Sequence, residues 1–176
     1  MARGRLVVLR ELGAGDAALL ERWSAPGFFG EFSDLGPPDE EFYSSGVPIA
    51  RLLVARSADG EPVGLVSWVR VWHGPNPGSR AWNIGISLVE PARGLGYGSE
   101  AQRLLAEHLL ATTRVNRIEA STDVENGAEQ RALEKAGFVR EGILRGAQFR
   151  AGRWRDLVGY SRLRSDGAGR HGRVAR

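Results

Sequence analysis

Three alternate glycines stand between the end of a predicted strand and the start of a predicted helix. They lie in the segment Arg93-Gly94-Leu95-Gly96-Tyr97-Gly98-Ser99. Glycine permits positive φ angles and lets a ligand approach the backbone closely. The free N–H groups of the first helical turn lie at the positive end of the helix dipole and can bind a diphosphate. Arg93 can add a charge-assisted hydrogen bond to a phosphate oxygen, so the sequence predicts a diphosphate site here.

The glycine pattern also fits a dinucleotide-binding loop. Gly96-x-Gly98-x-x-Ala101 satisfies that fingerprint, and Glu119 lies roughly 20 residues downstream, where a ribose-binding acid is expected. A dinucleotide fold, however, opens with the strand before the glycines and then repeats the strand–helix unit. Here about ninety residues of mostly antiparallel pattern come first, and one crossover follows. The remaining alternative, a turn without a ligand, is disfavoured because a plain turn rarely needs three glycines and a flanking arginine.

The elements that position this loop follow from apolar periodicity and turn signals. Strands are predicted at residues 6–12, 51–56, 63–72, 82–89, 115–122, 138–149 and 154–163. Helices are predicted at residues 16–23, 95–113 and 129–136, with a short one near 39–43. This order is an antiparallel meander, one strand–helix–strand crossover, a helix and a closing hairpin. It predicts an α/β fold with a mixed, mostly antiparallel central sheet of about seven strands and flanking helices.

Length and charge indicate one domain with a basic tail. A chain of 176 residues falls within the range of a single core, which we assign to residues 1–164. Residues 165–176 have little apolar content and are predicted to be disordered. In that tail three arginines oppose Asp166, which accounts for +2 of the formal net charge of +3. The remaining body is nearly neutral, so we expect no nucleic-acid partner.

Cysteine usage and hydropathy exclude several other classes of protein. The chain contains no cysteine, which excludes a disulfide framework, a thiolate metal site and a cysteine nucleophile. No apolar run approaches the roughly 18–20 residues that a membrane span needs. The N-terminus lacks the parts of a secretory signal. We therefore expect a cytoplasmic protein with no membrane partner and no metal.

Two motifs together resemble the GNAT superfamily of N-acetyltransferases. The glycine segment matches that family's Gln/Arg-x-x-Gly-x-Gly/Ala coenzyme A loop. The segment from Asn126 to Phe138 looks like its Asn-x-x-x-x-x-x-Leu-x-Lys-x-Gly-Phe motif. One helix and one strand separate the two motifs, as in the family. The two ends of the chain resemble the branch that acetylates ribosomal-protein N-termini, at Leu9-Arg10 with Asp16-Ala17 and at Glu141-Gly142 with Gly152-Arg-Trp-Arg-Asp156.

The resemblance implies acetyl-coenzyme A as co-substrate, bound where the fourth and fifth strands splay apart. The pantetheine arm is expected to pair with the backbone of Ile86 and Leu88, and Asn126 to bond it. From its position alone, Asn126 also suits a helix N-cap. The cofactor-binding residues implied by the resemblance are Ile86, Leu88, Arg93, Gly94, Leu95, Gly96, Tyr97, Gly98, Ser99 and Asn126.

The implied reaction is attack of an amine on the thioester, with the backbone N–H near Leu88 as oxyanion donor. At the positions where the family has its proton-transfer residues, this sequence has residues of other types. Leu133, Glu129, Gln148 and Asn83 stand at the positions of a tyrosine acid, a serine, a hairpin carboxylate and a strand-four acid. The departures leave proximity as an alternative to acid–base catalysis, because an α-amine with a pKa near 8 is already partly neutral.

Three side chains near the implied cleft are candidates for proton transfer: Asp34, His73 and Glu129. His73 lies in a Pro/Gly loop, where a solvent-exposed histidine is the alternative. Asp34 could equally cap a helix or face water. The predicted acceptor is a primary amine, either a peptide or protein N-terminus or a small amine-bearing metabolite or antibiotic. A non-catalytic coenzyme A sensor of the same fold is the alternative function, and a homodimer is left open.

Overall fold

The computed structural model describes residues 1–23 and 49–167, which form one eight-stranded sheet with helices on both faces. The strands are β1 (Ala2–Arg3), β2 (Val7–Arg10), β3 (Ala50–Arg56), β4 (Pro62–Trp72), β5 (Arg80–Leu88), β6 (Arg117–Asp123), β7 (Val139–Arg150) and β8 (Arg153–Leu163). The α-helices of the described part are α1 (Ala17–Trp23), α2 (Tyr97–Thr112) and α3 (Gly127–Lys135). Short 3-10 turns span Ala14–Asp16, Pro77–Ser79, Glu90–Ala92 and Arg164–Gly167. None of the helices described is long and apolar enough to cross a membrane.

The sheet order is β1-β2-β3-β4-β5-β6-β8-β7, and only the β5–β6 pair is parallel. The predicted mixed, mostly antiparallel α/β fold is thus confirmed. The two-residue strand β1 escaped prediction because so short a segment has no periodicity. The helix predicted near residues 39–43 lies outside the described residues. The predicted tail begins at Ser165, and the structure describes it as far as Gly167, within the last 3-10 turn.

Strands β5 and β6 separate after a short contact, as the resemblance implied. They pair only at Trp82 with Ile118 and at Asn83 with Glu119. Beyond this point β5 stays paired with β4 as far as Leu88. Strand β6 stays paired with β8 over its full length. A wedge-shaped gap, closed at the Asn83–Glu119 pair, therefore opens between the carboxyl-terminal halves of the two strands.

The two faces of the sheet carry different clusters. Helices α2 and α3 cover one face, where Leu105, Ile118, Leu133 and Tyr160 are at most 1% exposed. Helix α1 covers the other face with Trp23, packed on Leu53, Ala55 and Leu65. Because side chains alternate along a strand, the even-numbered residues of β5 and β6 face α2 and α3. The odd-numbered residues, among them Asn83 and Glu119, face the side of α1.

Glu100 ties the N-terminal hairpin to the helix that follows the glycine loop. Its carboxylate accepts three backbone N–H groups, from Leu6 at 2.6 Å, Val7 at 2.8 Å and Arg5 at 3.1 Å. A Cβ at Gly4 would lie 2.5 Å from the carboxyl group of Glu100, so a larger residue there would displace this carboxylate. The start of α2 is therefore fixed to the turn between β1 and β2.

We expect Glu100→Gln to destabilise the protein by about 1–3 kcal/mol, because an amide offers one acceptor oxygen where three N–H donors converge. Chemical denaturation of the variant and the wild type measures the difference. Glu61→Gln, which removes an exposed carboxylate from the turn after β3, is the control and should stay within about 0.5 kcal/mol. An equal stability of Glu100→Gln and wild type would contradict the anchoring role.

Candidate active site

The glycine loop forms an open cradle of backbone N–H groups. Gly94 and Gly96 have φ angles of 76° and 85°, in the left-handed region that favours glycine. Gly96 immediately precedes α2, and its carbonyl accepts the N–H of Glu100 at 3.2 Å. The N–H groups of Tyr97, Gly98 and Ser99 precede this first helical bond and so have no acceptor within the helix. They are therefore available to an anion, and the diphosphate site itself stays a prediction.

The start of α2 packs directly on strand β5. A Cβ added at Gly98 would lie 3.6 Å from Leu88 Cδ1 and 3.8 Å from Ile86 Cδ1, which is ordinary contact. Arg93 donates from Nε to the carbonyl oxygen of Leu88 at 3.1 Å. The anion cradle therefore lies at the open end of the gap, beside the last residues of β5.

The register of β5 points the N–H and C=O groups of two of its residues into the gap. Val89 donates its N–H to Val63 at 3.0 Å, so every second residue before Val89 is bonded to β4. Ile86 and Leu88 fall between these residues, and their N–H and C=O groups point away from β4. Because β6 has already diverged, neither residue is paired with a described strand on this side, and among the described residues only the Leu88 carbonyl has a partner, the Arg93 side chain. The edge can accept an extended ligand as an added strand.

Asn126 caps α3 on the other side of the gap. Its Oδ1 accepts the N–H of Glu129 at 3.2 Å, as its position in the sequence predicted. The side-chain NH2 group forms no hydrogen bond with any residue in the described ranges, so its donors are available to a ligand. The loop before Asn126 is held by buried Asp123, which pairs with Arg150 at 2.5 Å and Arg155 at 3.6 Å.

Glu129 lies in the seam between α2 and α3. Burial raises the pKa of its carboxyl group to about 7, and a hydrogen bond with the Gln102 side chain opposes part of that rise. Gln102 is 1% exposed and also donates to the carbonyl of Gly98 at 3.2 Å. Glu129 therefore lies close to the first turns of α2 and is partly protonated near neutral pH.

A cavity of about 330 Å³ lies on the α1 side of the sheet, at the closed end of the gap. His73, just after β4, contacts the Glu119 carboxylate through Nε2. Arg117 pairs with both Glu119 and Glu141, and Ser161 Oγ donates to Glu141 at 2.7 Å. The Arg117 guanidinium lowers the pKa of Glu141 to about 2, so this carboxylate is ionised.

The structure separates the predicted proton-transfer residues. His73 lies in the cavity on the α1 side, and Glu129 lies on the α2–α3 side. Leu88 lies beside the glycine loop, and Asp34 falls outside the described residues. Sequence reasoning did not assign Arg117, Glu119 or Glu141 to the site. The alternation of Arg117 and Glu119 on one predicted strand was a usable signal, but nothing local indicated that His73 would meet them.

We expect the stability of the protein to fall as pH rises from about 4.5 to 7, in part because of Glu129. The folded carboxyl group binds a proton up to about pH 7, whereas the unfolded one loses it near 4.5. Glu129→Gln should therefore gain stability relative to wild type across this window. Denaturant unfolding at pH 4.5, 6 and 8 measures the difference, with Glu90→Gln, an exposed carboxylate, as control. Parallel stability curves for Glu129→Gln and wild type would show that Glu129 is not buried as described.

Comparison with known proteins gives relatives over most of the chain. Residues 7–139 match the family model described as acetyltransferase (GNAT) domain. The chain is 34% identical over 86 residues to an uncharacterized N-acetyltransferase of Bacillus licheniformis, covering 49% of this chain and 48% of the relative. It is 27% identical over 105 residues to the ribosomal-protein-serine acetyltransferase of Escherichia coli, covering 60% of this chain and 56% of the relative. The chain thus spans about half the length of these curated relatives.

A solved structure shows the same fold. The spermidine N-acetyltransferase of Vibrio cholerae, determined with CoA and spermine, superposes with a TM-score of 0.73 at 20% identity. The match covers 94% of this chain and 100% of that one. At this identity the structural match establishes the fold, and the family model, which spans three quarters of the sequence, establishes the relationship. The chain belongs to the GNAT family of acetyltransferases.

Proposed function

We propose that the protein is an N-acetyltransferase that transfers an acetyl group from acetyl-coenzyme A to a primary amine. One observation carries the proposal. The gap between β5 and β6 has an anion cradle of N–H groups at its open end, and at its closed end it has a cavity lined by the titratable side chains of His73, Glu119 and Glu141. A ligand with a diphosphate at one end and a reactive group at the other fits such a gap. Acetyl-coenzyme A is a ligand of that kind.

The cofactor residues divide by the part of coenzyme A that each would bind. The N–H groups of residues 97–99 would hold the diphosphate, with Arg93 turning a guanidinium donor toward a phosphate oxygen. The backbone of Ile86 and Leu88 and the free amide donors of Asn126 would bind the pantetheine arm from opposite sides of the gap.

The same geometry favours Ile86 over Leu88 as the oxyanion donor. Leu88 adjoins the glycine loop, where the diphosphate would lie, and the pantetheine arm separates diphosphate from thioester by several strand residues. The N–H of Ile86 points into the gap two residues closer to its closed end. The Leu88 backbone, predicted as the oxyanion donor, is therefore better placed to bind the pantetheine arm. The N–H of Ile86 is better placed to stabilise the oxyanion.

Two proton transfers accompany the reaction, and the structure offers one group on each face of the sheet. The acceptor ammonium, approaching from the cavity, would give its proton to His73, which Glu119 orients. The resulting amine nitrogen attacks the carbonyl carbon, and the carbon–sulfur bond breaks. Glu129, on the helix side where the coenzyme lies, would protonate the leaving thiolate and recover its proton from water. A pKa of about 7 suits a group that gives up a proton near neutral pH.

A second candidate function is a coenzyme A sensor without turnover. Leu133 favours this function: it stands where many family members have a tyrosine acid, it is fully buried, and its side chain cannot donate a proton. The glycine loop and Asn126 serve both functions equally. Turnover therefore decides between them.

We expect release of free thiol from acetyl-coenzyme A only when a primary amine is present, with one acetylated amine formed per thiol. His73→Gln should lower kcat about a hundredfold if His73 is the base, whereas His108→Gln on α2 is the matched control. The wild-type rate should fall above about pH 7, as Glu129 loses its proton, and Glu129→Gln should remove that fall.

Two outcomes would contradict this assignment of roles. Coenzyme A binding without thiol release for any amine would support the sensor. A loss of tenfold or less in His73→Gln, together with a rising limb that follows the pKa of each amine, would show that proximity replaces an enzymatic base.

Gly96→Ala should weaken acetyl-coenzyme A binding more than tenfold, because its Cβ disfavours a φ of 85° and would lie 3.3 Å from Leu6 Cδ1. Gly60→Ala is the matched control: its φ is 76°, but it lies in the turn between β3 and β4 with no atom within 4 Å. Both variants carry the backbone penalty, and only the first alters the cradle. Equal affinity of the two variants in calorimetry would place the diphosphate elsewhere.

A further inference from the structure

The cavity at the closed end of the gap holds two carboxylates joined by one arginine. Arg117 donates from Nε to Glu119 and from its terminal nitrogens to both oxygens of Glu141, one of them at 2.7 Å. This fork geometry makes the guanidinium a partner that a simple ammonium cannot match. Arg117 therefore engages both carboxylates.

Counted without His73, the charges that face the cavity from the described residues sum to one negative unit. Glu119 and Glu141 contribute two negative charges, and Arg117 contributes one positive charge. A single ammonium would bring the cavity to neutrality. A second ammonium would leave an excess positive charge beside Glu119 and Arg117, whose side chains are 14% and 27% exposed, while the Glu141 side chain is 44% exposed. Excess charge at the buried side of this site is only partly screened by water and costs free energy to desolvate.

The rest of the cavity wall suits an uncharged group. Ile143 and Leu144 contribute aliphatic side chains, and Gly142 and Gly159 contribute bare backbone. The polar side chains of this part of the wall, Asn83, Ser121 and Tyr160, are amide or hydroxyl groups. Arg117 lies on β6 beside these residues and takes the position from which a second cation would contact Glu141. An acceptor with one ammonium and an uncharged neighbouring part therefore satisfies the cavity.

We propose that Arg117 is a specificity-determining residue that restricts the acceptor to amines carrying a single positive charge, such as a peptide α-amine or an alkyl monoamine. Diamines and polyamines are disfavoured because Arg117 already neutralises the second carboxylate. This inference rests on the proposed function, since it places the acceptor in the cavity that contains His73.

The test compares two ligands that differ by one ammonium, hexylamine and 1,6-diaminohexane. Their binding to the chain saturated with coenzyme A is measured by calorimetry. Wild type should prefer the monoamine by about tenfold or more, and Arg117→Gln should lower that ratio about tenfold or more by freeing both carboxylates. Arg145→Gln is the matched control, because this exposed arginine of β7 forms no ion pair within the described ranges. Its ratio should equal that of wild type.

Binding without turnover separates this inference from the proposed function. If amines bind with the expected preference but are not acetylated, the proposed acetyltransferase activity is wrong and the specificity role of Arg117 is supported. A wild-type preference for the diamine, or an unchanged ratio in a folded Arg117→Gln, would overturn the inference. If Arg117→Gln does not fold, Glu141→Gln serves instead: it makes the cavity neutral and should weaken the diamine more than the monoamine. An unchanged ratio in that variant would equally overturn it.

Discussion

The separation of β5 from β6 is the constraint on which the rest of this structure depends. Backbone N–H and C=O groups away from water need partners, and a parallel pair would normally satisfy them along its length. Here each strand is held firmly by its other neighbour, β5 by β4 and β6 by β8. The gap can therefore persist without collapse of the sheet. It leaves the N–H groups of Ile86 and Leu88 and the carbonyl of Ile86 without a strand partner in the part of the chain that the structure describes.

The two ends of the gap carry different chemical groups. The open end presents the N–H groups of residues 97–99 beside two glycines with positive φ. The seam nearby buries Glu129, whose raised pKa records an unfavourable environment for its charge. The closed end gathers His73, Glu119 and Arg117 around a cavity. Such features are typical of sites that bind and react, and less so of a sheet that only needs to fold.

Arginine–carboxylate pairs hold the strands that frame the gap. Asp123, at the end of β6, pairs with Arg150 and Arg155 from the closing hairpin. Arg117, near the start of the same strand, pairs with Glu141 of β7. Partly buried pairs of this kind fix geometry more than they add stability. They orient β6 at both ends, and with it the loop that leads to Asn126 and the Glu119 side of the cavity.

The sequence by itself determined the features that depend on neighbouring residues. Alternation and turn residues predicted the meander, and the glycine spacing together with the Asn126 segment predicted a coenzyme site, because both motifs are local in sequence. Only the tertiary structure decided which distant side chains meet. His73 contacts Glu119 across 46 positions, and Arg117 contacts Glu141 across 24, through a strand order in which β8 lies between β6 and β7. The burial that raises the pKa of Glu129 likewise arises from the packing of α3 on α2. No periodicity within either helix carries that information, because the environment of a side chain is set by the element packed against it.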